Sequence, residues 1–295
     1  MRHFYLFRNT LILSALILAG SSFLPSCAKQ KTENAAWLRV DSIHFSTTEA
    51  TQGTARQDLR DLWVYINDNL QGTYQVPFKV PVIMDGSHSV ILAPGILLNG
   101  MTGSRPLYTA VKPYYGSMTF VPGDTLVYNP AFEYDTTVTF AYLENFEQGS
   151  LSMYKTVYST GDFTSVSGGN DPYEGNNCGL LSLNSGDASA YAEAATIDPY
   201  IFPKDGRGIF VEMHYKCNTD FIVKIRGVAT DGSTYDFDIG GVYSSGNKWK
   251  KIYFTLTPKV VEFSLGNKFH LMYRINRNTD LGDQRLYVDN IKILY

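Results

Sequence analysis

Short segments in which apolar and polar residues alternate occur along most of the chain from Trp37 onward. An alternation with a period of two places every second side chain on the same face of a β-strand. It is clearest in Phe221–Val228 and Trp249–Leu256, each of which is predicted to bury one face. Further strands are predicted at Trp37–Phe45, Leu62–Ile66, Val76–Ile83, Ser89–Leu92, Cys178–Leu183, Gly208–Tyr215, Lys268–Ile275 and Arg285–Tyr295. The pattern predicts an all-β chain, with a short helix at Asp187–Ala195 as the exception.

Turn-forming residues separate the strands in the first part of the chain. Asn67-Asp68-Asn69 and Asp85-Gly86 are typical of tight turns. Pro77, Pro81 and Pro94 cannot donate a hydrogen bond to a neighbouring strand, so the strands that contain them should be short or lie at edges. These features predict a small β-sandwich domain over residues 37–141.

This stretch resembles the small β-sandwich repeats of PEGA-type domains. The resemblance lies in Asn67-Asp68, Gln71-Gly72-Thr73, Pro77 and Asp85-Gly86-Ser87-His88. It implies a non-catalytic module of the cell envelope that serves as a spacer. In such a module His88 would cap a turn and would not bind a metal.

Residues 142–295 carry motifs at both ends of a second run of strands. Phe146-Glu147-x-Gly149 opens the run, Gly175-x-x-Cys178-Gly179 follows, and Tyr287-Val288-Asp289-Asn290-Ile291 closes it. Together these motifs resemble the jelly-roll β-sandwiches of carbohydrate-binding modules and related galactose-binding-like domains. The resemblance implies a second β-sandwich domain, a jelly roll, that recognises a glycan without catalysis.

Many members of that class hold a structural Ca²⁺ where the first and last strands meet, and the resemblance therefore offers Glu147 and Asp289 as its ligands. Ca²⁺ takes about six to eight oxygen ligands from carboxylates, carbonyls and water. The alternative is that Asp289 accepts hydrogen bonds from turn amides and that Glu147 is solvated. Both interpretations stay open at this point.

A sugar-binding surface needs flat aromatic rings together with polar groups within hydrogen-bonding distance. The candidate ligand-binding residues are Tyr173, in a loop rich in Ser, Gly and Asn, and Trp249, at the start of a strand. For Trp249 the alternative is packing into the core beside the following strand.

Charge and cysteine content restrict the classes of function. The chain is 44% hydrophobic and has a formal net charge of −3. The first value excludes wholesale disorder, and the second argues against a nucleic-acid partner, because a surface that follows phosphates needs a basic excess. Cys178 and Cys217 either form a disulfide in an oxidising compartment or remain two buried free thiols.

The first residues resemble a bacterial lipoprotein signal peptide. Arg2 and Arg8 precede an apolar run at Thr10–Gly20. This run is too short to cross a membrane comfortably. Leu24-Pro25-Ser26-Cys27 resembles a lipobox, which implies cleavage after residue 26 and lipidation of Cys27. Because Ala28 follows the cysteine, the resemblance implies an outer-membrane destination, with residues 27–36 as a tether. An ordinary cleaved signal peptide is the alternative.

The sequence thus predicts a non-catalytic, lipid-anchored envelope protein in the style of the Bacteroidetes, facing the periplasm or the cell surface, whose jelly roll binds a glycan. A structural Ca²⁺ in the jelly roll is one of the two interpretations that stay open. The first alternative is a structural or adhesion subunit docked on a larger outer-membrane complex. The second is a glycoside hydrolase, for which Asp236 and Asp238 on one strand face are the carboxylates to consider. The sequence contains neither Gly-x-Ser-x-Gly nor His-Glu-x-x-His, so a serine hydrolase or a zinc protease is not indicated.

Overall fold

The structure is a computed structural model that describes residues 34–169, 171–186 and 191–295. The predicted signal peptide, Cys27 and most of the predicted tether lie outside the described residues. Within the described ranges, no helix is both long and apolar enough to cross a membrane.

The N-terminal region, residues 34–139, is built from short strands in chain order. They are β1 (Ala36–Val40), β2 (His44–Ser46), β3 (Asp61–Ile66), β4 (Asn69–Gln75), β5 (Phe78–Val82), β6 (Gly86–Gly95), β7 (Tyr114–Phe120), β8 (Thr125–Val127) and β9 (Ala131–Glu133), with the short helix α1 (Glu49–Gln52) after β2. One sheet has the order β4-β3-β6-β7, a second has the order β5-β1-β8, and β2 pairs with β9. Alternate residues of β1, β3 and β6, among them Leu38, Leu62 and Leu92, form the core of this region.

The predicted turns are found in this region. Asn67 and Asp68 join β3 to β4 with φ angles of 49° and 62°, which Asn and Asp tolerate better than most residues do. His88 bonds to both neighbouring turns: its Nε2 donates to the Asp85 carbonyl at 3.0 Å, and its Nδ1 accepts from the Asn67 amide at 2.9 Å. The ring therefore caps a turn, as the sequence predicts.

The C-terminal region, residues 140–295, contains the remaining strands. They are β10 (Phe140–Glu144), β11 (Met153–Lys155), β12 (Asp162–Ser167), β13 (Asn177–Leu183), β14 (Tyr191–Thr196), β15 (Tyr200–Ile201), β16 (Phe210–Cys217), β17 (Phe221–Val228), β18 (Thr234–Val242), β19 (Lys250–Thr255), β20 (Lys268–Asn276) and β21 (Gln284–Leu294), with helix α2 (Thr257–Glu262) after β19. The predicted boundary between residues 141 and 142 falls within β10.

These strands form two sheets that face each other across the larger core. The first, here called the junction sheet, has the order β12-β13-β21-β16-β19, and β10 also pairs with β21. The second, here called the outer sheet, has the order β11-β14-β20-β17-β18, and β15 also pairs with β20. The alternation predicted in β17 and β19 is confirmed, because Phe221, Val223 and Ile225 and likewise Ile252 and Phe254 all point into this core. The all-β, β-sandwich fold class is confirmed.

The short helix predicted at Asp187–Ala195 is wrong over its described part. Tyr191–Thr196 is β14, which pairs antiparallel with β20. Ala192 and Ala194 point into the core, where their small side chains let the two sheets approach each other. Packing between sheets therefore overrides the helix propensity of alanine. Residues 187–190 lie outside the described residues.

Cys178 and Cys217 are both buried and both free in the described chain, so the disulfide alternative is corrected in favour of two thiols. The pairing of β13 and β16 with β21 places Cys178 in line with Asp289 and Cys217 in line with Leu286. Two strand spacings separate them across the sheet, roughly 10 Å, which exceeds the Cα separation of about 7 Å that a disulfide can span. Cys217 also points into the core, and Cys178 points to the opposite face of the sheet.

The N-terminal region packs on the outward face of the junction sheet. Phe210, Tyr253 and Leu294, which point away from the jelly-roll core, belong to the core of the N-terminal region. The backbone amide of Asn99 donates to the Tyr253 carbonyl at 2.8 Å, and that of Thr139 donates to the Tyr295 carbonyl at 2.7 Å. One continuous apolar and hydrogen-bonded contact thus joins the two regions.

Candidate functional site

A loop over residues 171–176 packs on the outward face of the junction sheet, against His214 and Lys216 of β16. The carbonyl of Asp171 accepts a hydrogen bond from the Trp249 indole at 3.1 Å and another from the Lys216 ammonium at 3.3 Å. Lys216 also pairs with the Asp171 carboxylate at 3.0 Å, and its ammonium lies 5.4 Å from the Trp249 ring centroid. Trp249 is therefore half-buried at the rim of the sandwich and is fixed by the loop, instead of packing inside the jelly-roll core.

The two predicted ligand-binding aromatics lie next to each other. The ring centroids of Tyr173 and Trp249 are 5.7 Å apart, with an angle of 59° between the ring planes. Tyr173 also stacks on His214 at a centroid distance of 3.8 Å and an angle of 15°. Tyr173 remains 37% exposed, so the aromatic group presents a surface to solvent.

His214 is the buried support of this group. It projects from β16 on the outward face of the junction sheet. Burial, with the nearby Lys251 ammonium adding to the effect, lowers the pKa of His214 to about 2, so the ring is neutral near pH 7. Its Nδ1 makes no hydrogen bond with the described residues. The flat, uncharged ring of His214 thus supports the Tyr173 ring by stacking against it.

A cleft of about 460 Å³ opens beside the aromatic group, at the junction of the two regions. Tyr173, His214 and Trp249 line one side, and Asp58 and Arg60 of the N-terminal region line the other. This space is called the junction cleft below. Its size falls within the range of about 300–1,000 Å³ that is usual for small-molecule sites.

Asp289 and Glu147 hold the same loop from two sides. Asp289 is fully buried, and one of its carboxylate oxygens accepts from the backbone amides of Tyr173 at 3.0 Å and Glu174 at 3.2 Å. Its other oxygen accepts from the amide of Asn290 at 2.7 Å. Burial raises the pKa of Asp289 to about 7 even though these three amides favour the charged form.

Glu147 is exposed and accepts from the backbone amides of Asn176 at 2.8 Å and Asn177 at 2.7 Å. Its slight burial would raise its pKa, but these amides outweigh that effect and lower it. The two carboxylates therefore act as hydrogen-bond acceptors at opposite ends of the loop.

Both carboxylates bond to N–H donors in the described chain. The carboxylate oxygens face N–H donors, whereas a cation needs oxygens that face it. Among the described residues, no group of three or more His, Cys, Asp or Glu side chains is placed to hold a metal. The contacts favour the alternative, in which Asp289 accepts hydrogen bonds from turn amides.

A charged cluster that the sequence did not predict lies beneath the junction cleft. Glu212 of β16 accepts from the hydroxyls of Tyr108 and Tyr134 through one oxygen, the latter at 2.7 Å. Its other oxygen accepts from Gln57 at 2.8 Å and pairs with Lys251 at 2.9 Å. Tyr108, Tyr134 and Gln57 belong to the N-terminal region, so the carboxylate bonds the two regions together.

Lys292 completes the cluster by donating to the Thr54 carbonyl at 2.7 Å and to the Tyr134 hydroxyl at 3.0 Å. Burial would raise the pKa of Glu212, but Lys251 and Lys292 outweigh it and lower that pKa to about 2. The only sequence signal was the position of Glu212, His214 and Lys216 at alternate residues of an otherwise apolar strand. That spacing indicates an outward face but not what covers it.

Asp236 and Asp238 lie on the outward face of the outer sheet, and each forms an ion pair. Asp236 bonds to Arg226 at 2.6 and 3.0 Å, and Asp238 bonds to Lys224 at 2.8 Å. Partial burial would raise the pKa of Asp236, but Arg226 outweighs it and lowers that pKa. This direction is opposite to the one that a general acid in glycoside hydrolysis requires.

The sequence matches no known protein family and no curated protein. Among solved structures, the CBM22-1 xylan-binding domain of Xyn10C from Paenibacillus barcinonensis is 14% identical with a TM-score of 0.38, and the match covers 52% of this chain and 92% of that domain. A structure from a study of carbohydrate-binding modules of the β-sandwich superfamily is 14% identical with a TM-score of 0.37, covering 89% of this chain and all of that one. An exo-β-agarase is 12% identical with a TM-score of 0.36, covering 52% of this chain and 25% of the enzyme.

Proposed function

We propose that the protein recognises a glycan, without catalysis, at the junction cleft. The observation that carries the proposal is the meeting of Tyr173 and Trp249 over this cleft, although the two residues lie far apart in the sequence. A rigid aromatic surface beside a polar wall is what a sugar ring requires. Its C–H faces pack on aromatic rings, and its hydroxyls bond to polar side chains.

Both regions contribute charged side chains to the polar part of the cleft. Asp58 and Arg60 line it from the N-terminal region, and Lys250 lines it from β19. Asp58 and Arg60 also bond to each other at 2.7 Å, which fixes their orientation. Carboxylate oxygens accept and guanidinium or ammonium groups donate, so together they can satisfy sugar hydroxyls, which do both.

The cellular role proposed with this binding is that of a lipid-anchored envelope protein. Lipidation of Cys27 would tether the protein to the outer membrane through several acyl chains, each contributing about 0.8 kcal/mol per buried CH₂ group. Metabolic labelling with a palmitate analogue, with the Cys27→Ser variant as control, tests the anchor separately from glycan binding.

Binding of the signal-free chain to a glycan panel tests the proposal. The panel would contain xylan, β-glucan, mannan, agarose and host-type glycans. We expect saturable binding to one class and a loss of about tenfold or more in affinity for Tyr173→Ala, because the sugar loses its stacking surface. Tyr158→Ala is the matched control, since Tyr158 is 78% exposed in the same region and lies outside the cleft.

Equal effects of the two substitutions, or no binding across the panel, would contradict the proposal. In the second case the docked envelope subunit would become the better hypothesis. Co-purification from solubilised membranes would then be the next experiment.

A further inference from the structure

A larger cavity, of about 1400 Å³, adjoins the junction cleft. It lies between a loop of the N-terminal region, residues 99–104, and the strand ends of the jelly roll near β17 and β18. Five residues line both spaces, namely Gly100, Thr102, Tyr215, Lys250 and Ile252. The two spaces therefore adjoin each other along the contact between the regions, and together they are called the groove below.

The far end of the groove repeats the chemistry of the near end. Tyr243, which is 84% exposed, lines it beside the polar side chains of Asp220, Arg277 and Asn278. Phe221 and Ile222 supply an apolar floor. Each end of the groove thus has an aromatic ring with polar neighbours. At the far end these neighbours include one acidic side chain, Asp220, and one basic side chain, Arg277.

Both walls of the far end are held by hydrogen bonds. The loop that carries Tyr243 is fixed because the Ser244 amide donates to Asp220 at 2.7 Å and the Asn247 amide donates to the Cys217 carbonyl at 3.0 Å. On the opposite wall, the amide of Asn99 donates to the Tyr253 carbonyl at 2.8 Å and Arg105 donates to the Thr102 carbonyl at 2.9 Å. An exposed tyrosine on so constrained a loop is preorganised for contact with a ligand.

We propose that this groove binds an internal stretch of a polysaccharide chain, with sugar units from the Tyr173–Trp249 pair to Tyr243, and that the 99–104 loop forms one wall of the site. This inference rests on the proposed glycan-binding function and extends it. The volume exceeds the range of about 300–1,000 Å³ that suits a compact ligand, so an extended ligand fits better than a single sugar. Acidic and basic groups on one rim suit a hydroxyl-rich ligand better than a phosphate chain, which needs a basic surface. The N-terminal region is then part of the binding site and not only a spacer.

The test compares a disaccharide with a hexasaccharide, both prepared from the polysaccharide that the panel selects. Isothermal titration of the full signal-free chain should show about tenfold or more higher affinity for the hexasaccharide. Equal affinities for the two would overturn the extended groove while leaving glycan recognition intact. Absence of binding by both would overturn the proposed function and the inference with it.

A substitution in the N-terminal wall tests whether that region contributes. A side chain at Gly103 would meet no atom within 4 Å, and its backbone is not left-handed, so Gly103→Trp should fold normally while filling the groove. We expect it to lower hexasaccharide affinity about tenfold. Gly186→Trp is the matched control, because Gly186 has equally open space and lies outside the groove.

Tyr243→Ala tests the far end in the same way and removes only an exposed ring. It should weaken hexasaccharide binding, whereas Tyr158→Ala, which removes an exposed ring outside the groove, should not. Unchanged hexasaccharide affinity in both Gly103→Trp and Tyr243→Ala, with normal melting temperatures, would overturn the inference.

Discussion

Two glutamates project from the outward faces of the two sheets in the C-terminal region, and they are buried in different ways. Glu212, on the junction sheet, is covered by the N-terminal region and pairs with Lys251, whose side chain is also buried. Glu193, on the outer sheet, pairs with Arg226 and Arg274, whose side chains remain about a quarter exposed. The same residue type thus bonds two parts of the chain together on one face and organises a solvated surface on the other.

The difference shows that a charged side chain's contribution to stability depends more on the residues packed over it than on the strand that carries it. Arg274 reaches Glu193 at 2.6 Å, and Thr156 donates to the same carboxylate at 2.9 Å. If Glu193 were removed, water could solvate both arginines. Water has no comparable access to Lys251 and Lys292, so loss of Glu212 would leave two buried cations without a counter-charge.

The largest expected effect is that of Glu212→Ala, which should lower the free energy of unfolding by about 3–5 kcal/mol. Glu212→Gln keeps the shape and removes the charge, so a similar loss would assign the effect to charge and not to a cavity. Urea unfolding measures both. A loss below about 1 kcal/mol in both variants would show that the buried cluster does not bond the regions together.

Lowering the pH should gradually remove the contribution of Glu212 to the free energy of unfolding. Its pKa is lowered from 4.5 in the unfolded chain to about 2 in the folded protein, so its stabilising effect is complete above pH 4.5 and is lost as the pH falls toward 2. The difference in unfolding free energy between the wild type and Glu212→Gln should therefore shrink over this interval. A difference that stays constant from pH 5 to pH 2.5 would contradict the assignment.

Glu193→Ala should have a smaller effect, about 1–2 kcal/mol, because it loses charge-assisted hydrogen bonds but leaves the arginines open to water. The same urea experiment measures it beside Glu212→Ala. Equal losses at the two positions would remove the distinction between the two faces. High salt should weaken the Glu193 contribution more than that of Glu212, since exposed ion pairs are screened.

The smallest expected effect is that of chelation. Asp289 and Glu147 accept hydrogen bonds from the loop on the junction sheet, so EDTA should leave the melting temperature of the protein unchanged. Calcium added after EDTA serves as the control. A fall in melting temperature with EDTA that calcium reverses would restore the ion that the sequence resemblance implies.

The fold was predictable where local pattern and packing agree. The period of two in β17 and β19 and the Asn67–Asp68 turn are local features, and the structure has each of them. The helix prediction around Ala192 failed because alanine suits either a helix or a close contact between sheets. Only the facing sheet decides between these two.

The site was predictable in part. Tyr173 and Trp249 were selected by residue type and context, and the structure places them together. The polar wall at Asp58 and Arg60 was not predicted, because it belongs to another part of the chain and meets the aromatic pair only through the contact between regions. Glu212 was missed for the same reason, since a strand pattern shows which side chains point outward but not what lies against them.

The position of β21 has a consequence for how the protein comes to be folded. This strand pairs with β10, β13 and β16, so it is central to the junction sheet, and it is synthesised after every other described strand. The β4-β3-β6-β7 sheet can close from local pairings such as β3 with β4, but the junction sheet has to wait for β21, the last of the described strands to be synthesised. A chain in transit through a narrow channel would therefore lack a closed junction sheet until β21 has emerged. The groove between the two regions, which needs both of them, would form only after β21 has paired.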